Sequence, residues 1–206
     1  MQSTVVADLV KGEPIAEVER RARIVSILCR IAPARVGGAV RYGWENGGGE
    51  HAAWYFLPDG RALLLVADHI SPLNQYAEWD VVAQRSYLDG LPEDLLAVAL
   101  AQCEDDLVLT ITSDDDAVSV PFATGVFWFD GEHWRVAAGL QRHCTEHDID
   151  LWDESGFGLC TGDLRLGRPF TRESVLAVRG TAVSDGWSDE AVLAAFADDD
   201  TGRSEK

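Results

Sequence analysis

The chain is 206 residues long, 47% hydrophobic and 25% charged, with 35 acidic against 17 basic side chains and a formal net charge of −18. A chain of this length can bury a core without disulfide or metal staples, and one domain is the default. The charge repels nucleic-acid phosphates and anionic membranes, which excludes both as expected partners, and it favours solubility and attraction to basic proteins.

Cys29, Cys103, Cys144 and Cys160 are scattered without a CxxC spacing, which points to reduced and mostly buried thiols. The first residues lack the basic region and long apolar core of a secretory leader, and no stretch approaches the roughly 18 apolar residues of a membrane span. A cytoplasmic location is therefore expected.

Residues 1–12 have no clear period and read as a loose arm. From Pro14 an amphipathic helix is expected, because Ile15, Val18, Ala22, Val25 and Leu28 recur at helical spacing and Pro33 ends the run. Arg20, Arg21, Arg23 and Arg30 flank it. Such a cluster can bind phosphate, but pairing with the chain's own surplus carboxylates is the preferred reading.

Three strands follow, within 39–44, 52–57 and 62–68. Asp59-Gly60 is a two-residue hairpin signal that sets Phe56 opposite Leu63, Tyr55 opposite Leu64 and Trp54 opposite Leu65. Both faces of this hairpin are apolar, so it should be central and covered on both sides. Asp68, His69 and Ser71 superficially suggest a catalytic triad. Without a GxSxG elbow, and with triad members normally drawn from separate segments, they read as loop residues.

Residues 79–88 read as a helix or irregular segment, and 91–103 as a firmer helix opened by Pro92. Alternation over 106–122 fits strand, turn and strand. The turn carries Asp114, Asp115 and Asp116. Their consecutive placement lacks the spacing of a calcium loop, so a solvated acidic turn is expected, able to face a basic partner. Around Asp130-Gly131 a second hairpin is expected, with Phe127 opposite Trp134 on a core face that also holds Phe129 and Val136. Trp128, opposite His133, lies on the other face with Arg135. These three form a candidate recognition patch, since Trp and Arg are enriched at binding hot spots.

Residues 139–150, "GLQRHCTEHDID", hold the densest set of chemical side chains. A helix over 138–147 puts His143 and His147 four apart, on a footing to share one ligand. That is half of a metal site, and a further ligand would have to come from Cys160, Asp148 or Asp150. The competing reading turns Leu140, Cys144 and His147 inward against the sheet, with Asp148 stopping the helix and residues 149–152 opening a strand. Residues 150–170 then read as short strands and turns. Thr171 caps a short helix ending near Gly180, and Ser188 caps another. Asp198, Asp199 and Asp200 oppose the dipole at its end, so 199–206 should be a disordered acidic tail.

No P-loop or dinucleotide fingerprint is present, and no cofactor is expected. The expected architecture is a single α+β domain over residues 13–198. Its largely antiparallel sheet of about six strands is built from hairpins and packed with an N-terminal amphipathic helix, a middle helix and short C-terminal helices. In composition, not in any motif, the chain resembles immunity proteins that neutralise bacterial toxins. The functional expectation is a non-enzymatic binding protein, an immunity-type inhibitor of a basic protein partner. The alternatives are a metal-dependent or small-molecule enzyme using the His143/His147 region, and a scaffold subunit.

Overall fold

The computed structural model describes residues 4–6, 9–76, 78–101, 107–112, 119–177 and 187–202. Within them lies an α+β single-domain fold built on a six-stranded antiparallel sheet. Its strands are β1 (Ala34–Val36), β2 (Ala39–Glu45), β3 (His51–Phe56), β4 (Ala62–Ala67), β7 (Gly125–Phe129) and β8 (Trp134–Val136), in the order β1-β2-β3-β4-β7-β8. A separate two-stranded sheet pairs β5 (Thr110–Thr112) with β6 (Ser119–Pro121). The acidic turn at Asp114–Asp116, together with Cys103 and Gly180, lies outside the described residues.

Every residue of β3 and β4 is buried. The run of leucines, alanines and aromatics leaves neither face fit for water, so both are covered. Tyr42, Trp54, Leu64 and Phe127 form one cross-strand row. Helix α1 (Ile15–Leu28) packs on β2 and β3, and Trp152 stacks on Phe127 with Phe157 tilted against it. Tyr55, Leu63 and Trp128 share the opposite face. Elsewhere, α2 (Val81–Ser86) contacts both strands of the small sheet, and α3 (Glu93–Ala101) contacts β4 and β6.

The first hairpin corrects the expected register. Its loop has three residues, Pro58-Asp59-Gly60, with Leu57 N–H donating to the Arg61 carbonyl at 2.9 Å and Gly60 left-handed at φ 85°. That geometry is a turn followed by a glycine bulge. The partners are therefore Phe56↔Ala62, Tyr55↔Leu63 and Trp54↔Leu64. A one-residue slip exchanges the faces of a strand. Here the exchange is tolerated because β4 is apolar on both sides.

The second hairpin slips by two. Asp130 accepts N–H bonds from Glu132 at 2.8 Å and His133 at 2.7 Å, making a four-residue loop. The pairs become Phe127↔Val136, Trp128↔Arg135 and Phe129↔Trp134, and a shift of two leaves each residue on its expected face.

Thr4–Val6, within the expected loose arm, run beside β8. Val6 N–H donates to Trp134 at 2.7 Å, Val136 N–H donates to Thr4 at 3.1 Å, and Leu9 and Val10 are buried. Helix α4 (Ala138–His147) has its expected bounds and is stopped by left-handed Asp148 at φ 55°. The strands expected over 150–170 do not form. Asp150 instead accepts N–H bonds from Trp152 and Asp153, capping α5 (Leu151–Glu154), and α6 (Phe157–Gly162) follows. Thr171 caps α7 (Arg172–Leu176) as expected.

Helix α8 (Asp189–Gly202) continues into the expected tail, and residues 203–206 lie outside the described set. Asp199 is buried because Arg20 and Arg23 both bind its carboxylate. Arg20 also binds Glu17 at 2.7 Å, and Arg21 binds Glu13 at 2.8 Å and Glu17 at 2.7 Å. The arginines of α1 are thus consumed by carboxylates of the same chain. No described helix is long and apolar enough to cross a membrane.

Gly139 sits where α4 meets the turn after α2. A Cβ there would lie 1.7 Å from the Ser86 carbonyl oxygen, and Gly139 N–H bonds to Asp89. Helix propensity alone favours Gly→Ala by about 1 kcal/mol. The backbone clash reverses the sign, so Gly139→Ala is expected to destabilise the protein by about 2 kcal/mol, measured by urea unfolding.

Candidate functional site

The hairpin of β7 and β8 positions the expected recognition patch. Trp128 is half-buried, with the Arg135 guanidinium carbon 5.7 Å from its ring centroid. The Arg135 Nε donates to Asp130 at 2.6 Å. Burial opposes the charge on Asp130, but N–H donation from His133 and Glu132 and the Arg135 guanidinium outweigh it and hold its carboxyl near 2. Arg135 is therefore fixed as a lid on the indole, and Trp128 Nε1 is buried without an acceptor among the described residues. His133 is not opposite Trp128. It closes the loop, exposed, with Nδ1 3.9 Å from Glu132.

His143 and His147 do meet, with ring centroids 4.3 Å apart. Their environments reverse the expectation. His147 is exposed, whereas His143 is half-buried against Tyr87 at 4.9 Å. Leu140 and Cys144 turn inward as expected, but the three residues after Cys144, Thr145 to His147, are all exposed. Burial, and then the neighbouring His147, lower the His143 pKa. Burial pushes the Cys144 thiol up to about 11, which keeps it protonated. No third ligand joins the histidine pair among the described residues.

A fuller ligand set lies elsewhere. Glu50, Asp68 and His69 bring one ligand atom each to within 4.8 Å of one another. The pairing His51↔Ala67 makes this happen, because it sets the residues just beyond the two strands side by side. His69 Nδ1 is 3.3 Å from Glu50. Left-handed Gly49 permits the approach, since a Cβ there would stand 2.8 Å from that nitrogen. Asp68 is buried and accepts the Ile70 N–H at 3.0 Å. Ser71 turns to its own loop, accepting the Leu73 N–H. The adjacent Asp, His and Ser therefore form no triad, and Glu50 completes a set of one imidazole and two carboxylates, a chemistry suited to a divalent ion. Linear spacing hides Glu50, and only the strand register reveals it.

Trp79 is a second feature that periodicity does not mark. It is 49% exposed at a left-handed backbone (φ 54°), between Glu78 and Asp80 and near exposed Val82 in sequence. Its indole N–H donates to Thr112 at 3.1 Å and its ring packs edge-on against Tyr76 at 5.1 Å. The ring is held in place yet open to solvent.

His51 stands apart from these sites. Its Nε2 is buried without an acceptor among the described residues, and its ring lies 6.2 Å from Phe122. Burial lowers its pKa from 6.5 to about 4. Between those values the unfolded chain binds a proton that the folded chain refuses, so stability is full above 6.5 and falls as pH drops. His51→Leu is expected to remove about 2 kcal/mol of the stability lost between pH 7 and pH 4.5, read as a difference in urea midpoints from wild type.

Comparison with protein-family models, with curated proteins and with solved structures gives no match to this chain.

Proposed function

We propose that this protein is a non-enzymatic binding protein, an immunity-type inhibitor that engages a basic protein partner. The observation that carries the reading is the internal use of its cations. Arg20, Arg21, Arg23, Arg61, Arg135, Arg142 and Arg172 each bind a carboxylate of the chain itself. Even if every base were neutralised in this way, 18 negative charges would remain to face outward. Such a field accelerates encounter with a basic surface, and desolvated aromatic anchors then slow dissociation. Trp79 with Val82 supplies one anchor among acids. Trp128 under Arg135, with His133 exposed in the adjoining loop, supplies another, and Asp114–Asp116 add charge.

The test begins with capture of partners from the native cell and continues with binding kinetics on the purified pair. The association rate is expected to fall at least tenfold between low and high salt. Trp79→Ala is expected to raise the dissociation rate about tenfold or more. An association rate indifferent to ionic strength would sink the steering mechanism.

A second reading, metal dependence, is favoured by the Glu50–Asp68–His69 set over the His143/His147 pair, which has two ligands. Zinc or manganese titrated by calorimetry is expected to bind one equivalent, and Glu50→Gln to weaken it at least tenfold. Unchanged affinity in that variant would remove this reading.

A further inference from the structure

We infer that Lys11, Arg165 and Arg168 form a binding site for a small organic anion, a phosphate or carboxylate head on a compact apolar body. The three cations line one pocket of about 300 Å³, together with Leu9, Phe157 and Leu166. This concentration runs against the rest of the molecule. The chain has 35 acids for 17 bases, and seven arginines elsewhere are each matched with one of them. Lys11, Arg165 and Arg168 have no ion-pair partner among the described residues. Glu13 and Asp163, close to them in sequence, are engaged by other groups. Glu13 takes the Arg21 guanidinium at 2.8 Å and the Gly167 N–H at 3.2 Å, and Asp163 takes the Trp44 indole N–H at 2.8 Å.

The wall that carries the two arginines is built in advance. Arg21 is buried and donates from one nitrogen to the carbonyls of Leu164, Arg165 and Arg168, at 3.2, 2.8 and 3.2 Å. That guanidinium pins the loop from inside the protein. Arg165 is then aligned by donation from its Nη1 to the Ser174 carbonyl at 2.8 Å. The other edge of a guanidinium, Nε with Nη2, has the geometry to grip two oxygens of one anion. The Arg165 Nε is buried and has no acceptor among the described residues, a state that favours a ligand bringing one.

Backbone strain converges on the same place. Lys11 and Arg165 are both left-handed, at φ 52° and 51°, a conformation L-residues avoid unless the surroundings enforce it. The Lys11 stem also lies across Gly167, where a Cβ would stand 2.8 Å from its Cδ. Glycine there lets the ammonium reach the pocket rim. The apolar lining then selects an anion with a hydrophobic body over a bare ion.

The experiment is calorimetric titration of the full chain at low salt with phenyl phosphate, benzoate and inorganic phosphate. Phenyl phosphate or benzoate is expected to bind one equivalent, at least fivefold tighter than inorganic phosphate. Preference between the two organic anions identifies the head group, and either preference supports the site. Lys11 and Arg168 are exposed and have no ion-pair partner among the described residues, so the Lys11→Gln, Arg168→Gln double variant should fold with an unchanged unfolding midpoint. It should bind at least tenfold more weakly, and Arg165→Met should do likewise. Absence of saturable binding by all three probes up to 10 mM, or undiminished affinity in the folded double variant, would overturn the assignment. That affinity limit corresponds to about 3 kcal/mol of binding free energy.

Discussion

Burial of β3 and β4 on both faces is the constraint from which the rest of the architecture follows. Tyr55, Leu63 and Leu65 look one way, Trp54, Leu64 and Val66 the other, and none of them is exposed. A sheet with one wet face needs only one covering layer. This one needs two, and the chain provides them from both ends and the middle. Helix α1 covers Tyr42 and Trp54, α5 and α6 cover Phe127, and α3 with the small sheet covers the opposite face. The C-terminal helix α8 is held to α1 by ion pairs from Arg20 and Arg23 to the buried Asp199. An acidic protein thus spends many of its few arginines on its own assembly.

That expenditure shapes the surface. Carboxylates not engaged by arginine give the molecule its field, and cations not engaged by carboxylates stand out wherever they gather. The Arg21 guanidinium belongs to both descriptions. It ties α1 to the loop over 164–168, and by doing so it fixes the position of the two arginines of that loop. Stability of the fold and the shape of the cationic pocket are therefore one arrangement.

The candidate sites were legible to different depths. Helix α4 was readable to its ends, because Leu140 and Cys144 mark its inner side and Asp148 its stop. The fates of its two histidines were not, since exposure of the last turn depends on where the neighbouring elements end. Trp128 and Arg135 were placed on one face by alternation, which survives a register shift of two. Their direct pairing was not, because it depends on how Asp130 folds its loop. Asp68 and His69 were visible as neighbours, while Glu50 lies eighteen residues before Asp68 and enters only through the β3–β4 pairing.

By itself, the sequence determined the class of fold, the central hairpin, the amphipathic first helix, the bounds of α4 and the acidic field. These rest on composition and on local periodicities of two and 3.6 residues, which are properties of consecutive side chains. Tertiary structure decided the two registers, the helical character of residues 151–154 and 157–162, the docking of Thr4–Val6 on β8 and the burial of Asp199. It also gathered Lys11 with Arg165 and Arg168, and Glu50 with Asp68 and His69. Most of these join residues far apart in the chain, or depend on one or two extra residues in a turn. Contacts of that kind are set by packing and loop geometry, to which hydrophobic period is blind.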